Sequence, residues 1–327
     1  MVKYIIKRLL ISLLILFGVS LILYVLVRLM PDTAFYEGLD LQATNVEQLV
    51  WQRKEIYGLN DNSFWGIIKG YFGWLWNFVQ GDFGDSFQGT GAVSELIFKD
   101  MGVSFIISFV SLVLQLLIAI PLGIRCACNQ YGKLDYAATV LTMIGISFPS
   151  FFFGNIMIKL FAVELGWFPA QGLEDATKML TGFDKFLDQL HHLVLPLFVL
   201  TILSIGSLMR YTRTNTLEVL SADYIRTARA KGLSENKVVY KHVFRNTMIP
   251  LVTTLAGILP GLFGGSMITE EVFALPGIGQ AAWKAFTKSD IPFIMTYNMF
   301  IAVLTVVGIL LTDLMYALVD PRVKLGK

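Results

Sequence analysis

Apolar positions along this chain gather into long runs separated by short polar gaps. A helix needs about 20 apolar residues to cross the bilayer core. Six stretches meet or approach that length: 9–29, 103–124, 136–158, 193–209, 247–269 and 293–312. The fourth is the shortest, and its polar flank "RYTRTN" extends it by a turn. One gap breaks the pattern. "SADYIRTARAKGLSENKVVYKHVFRNTMIP", residues 221–250, reads as soluble helix set among membrane spans.

Lys and Arg in short loops orient such a chain, because they are retained on the cytoplasmic side. Lys3, Lys7 and Arg8 precede the first run, and Arg125 and Lys133 follow the second. Arg210, Arg213, Arg226, Arg229, Lys231, Lys237, Lys241 and Arg245 follow the fourth, and Arg322, Lys324 and Lys327 follow the sixth. In 31–101 acids outnumber bases ten to four. Every loop therefore predicts six spans, cytoplasmic termini and a cytoplasmic 221–250. Within the outer segment, "WGIIKGYFGWLWNFVQGDFGDSF" predicts a partly buried interfacial helix with Trp65, Trp74 and Trp76 near the headgroups.

Composition sharpens this picture. Of 327 residues 55% are hydrophobic and 15% charged, where soluble domains carry about 25% charged residues. A net charge of +2 is too mild to call for nucleic acid. Cys126 and Cys128 with His191, His192 and His242 do not make a zinc site of the usual four-ligand kind. The first apolar run continues too far for a cleaved signal segment.

The span centres lack the Asp, Glu, His or Lys that ion-coupled carriers place at depth. Arg28, Lys159, Glu164 and Asp313 all fall near span ends. No intramembrane protease motif occurs, and no phosphate-cradling Gly-x-x-x-x-Gly-Lys-Ser/Thr loop. "GIGQAA" at 277–282 reads as a turn leading into a helix, since Pro276 spoils a preceding strand. Transport driven by nucleotide would need a separate ATPase subunit; an ATP-independent secondary carrier is the alternative.

Residues 221–250 offer a place for one. Asp223 is the expected helix N-cap and Gly232 the expected stop, leaving about two turns. Tyr224, Ala228 and Lys231 then share a face, and Arg226 lies beside Arg229. A second helix is expected over 234–246, leading into the fifth span at Pro250. Small alanines with one aromatic suit a helix lodged in another protein's groove; an ordinary basic loop on anionic headgroups is the alternative.

The motifs occur in a telling order: "KRLLISLLILFGVSLILYVLVRLMP", "GDFGDSF", "IPLGI", "SFPSFFFGNIMIKLFAVELGWFPAQG", "RYTRTNTLEVLSADYIRTARAKGL", "KHVFRNTMIP", "EEVFALPGIGQAAWKAFTKSDIP" and "TDLMYALVDPR". Together they resemble the membrane-spanning permeases of bacterial ABC importers, in the dipeptide/oligopeptide (and nickel) branch, as the "B"-type permease of the pair. The resemblance covers nearly the whole chain. It implies an all-α polytopic membrane protein of the type I importer permease fold in the bacterial cytoplasmic membrane. Its expected parts are a first helix (1–30), an outer segment (31–101), a five-helix core (102–319) with a coupling loop (214–246), and a cytoplasmic tail (320–327).

It also implies a non-catalytic subunit. Its path would pass di- or oligopeptides, or alternatively oligosaccharides or nickel chelates, delivered by an extracytoplasmic solute-binding protein. Partners would be a second homologous permease, two cytoplasmic ABC ATPases that hold ATP and Mg, and membrane lipid; this chain itself would hold no cofactor. The ATPase-docking coupling helix falls on Asp223, Tyr224, Arg226, Thr227, Ala228, Arg229, Ala230, Lys231 and Gly232. Only Ala228 and Gly232 match the broader importer signature Glu-Ala-Ala…Gly, a departure the peptide branch shares. A second departure is "PDTA" at 31–34, where the family commonly has Pro-Gly-Asp-Pro.

Overall fold

The computed structural model describes residues 2–42, 44–88 and 91–319; the expected tail 320–327, with its three basic residues, lies outside them. Among the described residues there is no named strand. Four helices are long and apolar enough to cross a membrane, or five if one bent pair counts as a single span.

The first, α1 (Val2–Arg28), ends at Arg28. Its guanidinium donates to the Tyr24 hydroxyl, to the carbonyls of Gly58 and Asp61, and to Asn62. A cation at a span end thus directs its donors to backbone carbonyls and side-chain oxygens. Helices α2 (Val46–Ile56) and α3 (Phe64–Val79) follow. Gly58, at φ +60°, reverses the chain between them, and a Cβ there would meet the Gly70 Cα at 2.5 Å. The Ser63 hydroxyl caps α3 by accepting from the Gly66 N–H at 3.0 Å. The stretch expected to be helical therefore is so, as α3. Trp65 and Trp76 are exposed, but Trp74 is not at a surface: it is buried with Tyr24 and Tyr71 against α1.

Helix α4 (Val93–Cys128) is followed by α5 (Lys133–Ser147) and α6 (Ser150–Met157), which continues as a π-helical stretch to Glu164. The stretch 136–158, expected as one span, is two helices rather than a single straight one. The chain bends by 102° between α5 and α6, because Pro149 pushes Phe148 into extended backbone (φ −80°, ψ 129°).

Helix α7 (Gly182–Ser221) runs for 40 residues, about 60 Å at 1.5 Å per residue, roughly twice the apolar thickness of a bilayer. Glycines set its neighbours. A Cβ on Gly123 of α4 would lie 2.8 Å from the Met209 carbonyl oxygen, and one on Gly206 of α7 would lie 2.9 Å from the Thr142 carbonyl oxygen. Small residues let α4, α5 and α7 close to backbone contact, as membrane helices without a hydrophobic drive between them require. Asp135 of α5 also takes a two-pronged grip from Arg213 of α7, at 2.6 and 2.7 Å.

Beyond α7 come α8 (Asp223–Ala230) and α9 (Glu235–Lys237), a π-helical turn over Val238–Val243, and α10 (Phe244–Gly264). The second soluble helix expected over 234–246 runs on into α10, which stops at Gly264 where the fifth span was expected to reach 269. Gly265, at φ +72°, turns the chain into α11 (Met267–Val272), then α12 (Ile278–Thr287) and α13 (Ile291–Val319). The "GIGQAA" stretch is the N-cap and first turns of α12. Arg8 of α1 and Asp313 of α13 form an ion pair at 3.1 Å.

Buried Glu270 organises this last turn. Its carboxylate accepts from the Ser104 hydroxyl (2.9 Å) and from the N–H groups of Ser266 (2.8 Å) and Gln280 (3.2 Å). It thereby ties α4, α11 and the positive end of α12 together. A Cβ on Gly265, Gly277 or Gly279 would enter that carboxylate.

Candidate functional site

The stretch singled out in the sequence forms a distinct hook at the end of the long α7. Ala222 adopts extended backbone (φ −71°, ψ 145°) and α8 starts at the next residue. Asp223 is not the N-cap: Ala222 occupies that position with no side-chain cap, and Asp223 is the first helical residue. Its carboxylate suits the helix N-terminus electrostatically and lies 3.6 Å from Arg226. Gly232, at φ +74°, ends the helix as expected, its N–H donating to the Arg229 carbonyl at 2.9 Å.

One apolar stripe holds α8 in place. Ile225 is completely buried and Ala228 nearly so, packed with Val238 and Val243 of the π-helical turn and with Val219 and Leu220 of α7. Burying an Ile side chain of this kind contributes about 2 kcal/mol. The expected shared face of Tyr224, Ala228 and Lys231 is therefore divided: Ala228 faces inward, Tyr224 and Lys231 outward. Asp223, Arg226, Thr227, Arg229, Ala230 and Gly232 are exposed as well.

An ion pair locks the hook to the start of α9. The Arg229 guanidinium donates twice to the Glu235 carboxylate, at 2.6 and 3.2 Å. Arg229 holds the Glu235 carboxyl below the usual carboxylate range, and Glu235 in turn raises the guanidinium. Beside Tyr224 lies a hollow of about 470 Å³ lined by Asn215, Glu218, Asn246 and Pro250. The arrangement is a two-turn helix with an anchored inner face and an outer face of small, basic and aromatic side chains.

Ile225 and Glu235 were not singled out in the sequence. The i, i+3 spacing of Ile225 and Ala228 in an otherwise polar helix is the signal that finds the first. Glu235 lies beyond Gly232, so only the reversal of the chain brings it to Arg229. Elsewhere, His191 bonds the Trp167 carbonyl and His192 the Asp188 carbonyl. Cys126 is buried and Cys128 exposed, both unbridged. Among the described residues no cluster of His, Cys, Asp and Glu could hold a metal.

Residues 119–325 match the family described as the binding-protein-dependent transport system inner membrane component. The chain belongs to that family. It is thus a non-catalytic, multi-pass permease subunit of an inner membrane, and such systems pair it with an ATPase and a binding protein. The chain is 41% identical to the oligopeptide transport system permease protein AppB of Bacillus subtilis, over 99% of this chain and all of that one. It is 32% identical to the dipeptide permease DppB of the same organism, over 100% and 99%. With the oligopeptide permease OppB of Haemophilus influenzae it shares 31%, over 99% and 100%. The permease also superposes on a chain of the MetNI methionine ABC transporter in an inward-facing form. The TM-score is 0.51 at 19% identity, covering 68% of this chain and 94% of that one, a likeness of fold. The matched family region begins within α4, so α1, α2 and α3 lie outside it, whereas the curated relatives span them.

Proposed function

We propose that this permease forms the translocation path of an ATP-driven importer for di- or oligopeptides handed over by an extracytoplasmic solute-binding protein. End-to-end identity of 41% to an oligopeptide transport permease carries this reading. The distribution of Lys and Arg supports six spans with the termini and the α8 hook in the cytoplasm.

In this reading α8 is the coupling helix. Tyr224, Arg226, Thr227, Ala230 and Lys231 present the surface that seats in a cleft of the ATPase. Asp223, Arg229 and Gly232 fix the helix ends, and Ala228 anchors the inner face. ATP and Mg reside on two partner ATPases, a second homologous permease completes the pore, and lipid surrounds the spans. ATP-driven closure of the ATPases would move α8, and α7 is the continuous lever that carries the movement into the membrane. The driving free energy then comes from the nucleotide's differential affinity for two states, so the span centres need no coupling-ion acid.

The test is purification of the tagged chain from its native membranes, followed by reconstitution and uptake of radiolabelled trialanine. Copurification of ATPases and a second permease with ATP-dependent uptake is the expected result. Uptake that persists without any ATPase would overturn the reading.

A further inference from the structure

Helix α12 presents one row of polar side chains that the fold leaves unpaired. Gln280, Lys284 and Lys288 follow one another at i, i+4 and i+8, so they stack on one side of the helix. All three line a hollow of about 270 Å³, whose facing wall is the start of α4 with Asp100. Gln280 is 9% exposed. Its backbone N–H donates to Glu270, but its side-chain amide bonds no described residue. The Asn215 amide nitrogen is sealed in without a partner; the Gln280 amide is not sealed, and its free donor and acceptor open onto the hollow it lines.

The charges of the hollow do not cancel. Lys284, Lys288 and Asp100 form no ion pair among the described residues, although Asp100 and Lys284 lie in each other's field. Asp290, the other acid, is engaged: it accepts from the Ser86 hydroxyl and from the Phe87 N–H, and Arg53 lies within its field. Two free ammonium groups therefore face one free carboxylate. The place is also telling. Asp100 stands at the opposite end of α4 from Cys128, which lines a hollow with Glu235 at the foot of the hook. At 1.5 Å per residue that separation is about 40 Å, more than the bilayer core of about 30 Å. In the orientation argued from Lys and Arg, the α12 hollow opens on the outer side, where cargo arrives.

We propose that Gln280, Lys284 and Lys288 form a reception site for the carboxyl-terminal residue of the cargo peptide. This deepens the peptide-import reading and rests on it. The two ammonium groups take the terminal carboxylate in charge-assisted hydrogen bonds. A side-chain amide carries both a donor and an acceptor, so Gln280 pairs with the last peptide group, donating to its C=O and accepting from its N–H. Leu96 and Phe293 give the terminal side chain an apolar floor. Asp100 draws Lys284 into the hollow and repels a second carboxylate. Pockets that enclose a whole small ligand start at about 300 Å³, so this one takes the end of a peptide and leaves the rest outside.

The full-length chain, in nanodiscs with the subunits that copurify with it, is titrated by saturation-transfer NMR with three probes. They are trialanine, trialanine amide, which lacks the carboxylate, and acetate, which lacks the peptide group. Trialanine is expected to bind tightest. Lys284→Gln and Lys288→Gln should each weaken trialanine about tenfold, the size of one hydrogen bond to a charged group, and leave trialanine amide unchanged. Gln280→Leu should weaken trialanine several-fold and leave acetate unchanged. Both lysines are exposed, so the test stands on them if the buried Gln280 variant does not fold. Trialanine uptake by the double lysine variant should fall in step with binding. Wild-type trialanine affinity in both lysine variants, or trialanine amide binding as tightly as trialanine, would overturn the site. So would loss of the solute-binding protein from the lysine variants with trialanine binding intact, because the lysines would then hold an acidic side chain of that protein. Lysine-dependent trialanine binding in a wild type that imports no trialanine would sink the peptide-import reading and support the site itself.

Discussion

Gly232 stands at φ +74° with open space where a Cβ would be, so its replacement costs backbone strain and not a clash. A left-handed non-glycine residue costs about 1–2 kcal/mol, and asparagine tolerates that region better than valine. Gly232→Val should therefore lower the yield of copurified ATPase and Gly232→Asn should lower it less, read by densitometry of the purified complex. The two alanines of the hook separate anchoring from docking. Ala228 is buried and Ala230 exposed. Ala228→Glu should destabilise the chain by about 2–3 kcal/mol, the cost of an unsatisfied buried polar group, and lower its melting temperature. Ala230→Glu should leave melting unchanged and still release the ATPase. Equal melting temperatures for the two variants would contradict the assignment of faces.

At the scale of elements, α8 is too short to be stable alone, since isolated helices below about 12 residues are marginal in water. Packing of Ile225 and Ala228 and the Arg229–Glu235 pair hold it. The folded-state Glu235 carboxyl is depressed by Arg229. The stabilisation is therefore complete above the ordinary glutamate value near 4.3, and it is lost as pH falls through the lower folded value. Hydrogen exchange of the α8 amides, corrected for intrinsic rates, should show protection constant from pH 8 to 5 and declining below 4. Glu235→Gln should show the reduced protection already at pH 7. The same scale explains the third expected span. Its hydrophobic run is unbroken through Phe148, and hydropathy alone does not register a bend; Pro149 marked the place without the angle.

Across the whole molecule, α7 is the axis to which α4 and α5 are fitted at glycine contacts. A side chain at Gly206 would drive α5 away from α7, because its Cβ would already sit 2.9 Å from the Thr142 carbonyl oxygen and 2.8 Å from Ile146. Overpacking of this kind costs about 1–3 kcal/mol. Gly206→Val should lower the melting temperature of the detergent-solubilised chain. Gly18, with nothing within 4 Å of its Cβ position, should accept alanine without loss. If α7 transmits movement from the hook to the membrane, Gly206→Val should also uncouple ATP hydrolysis from trialanine uptake, measured in the same vesicles.

Hydropathy and charge determined the membrane class, the approximate reach of the long helices and the position of the hook, because each is a property of neighbouring residues. The glycine stop at 232 was legible for the same reason: left-handed backbone selects its residue locally. Tertiary structure decided what depends on residues far apart in the chain. It placed Trp74 against α1 instead of at the headgroups, turned Ala228 inward, and bent α5 from α6. It also joined Arg229 to Glu235 across a chain reversal. The Glu270–Glu271 pair shows the reason most plainly. Two identical side chains one residue apart share composition, propensity and local charge. One meets Ser104 and the N-terminus of α12, while an oxygen of the other is buried without a hydrogen-bond partner among the described residues, and only the packing of helices distant in sequence could separate them.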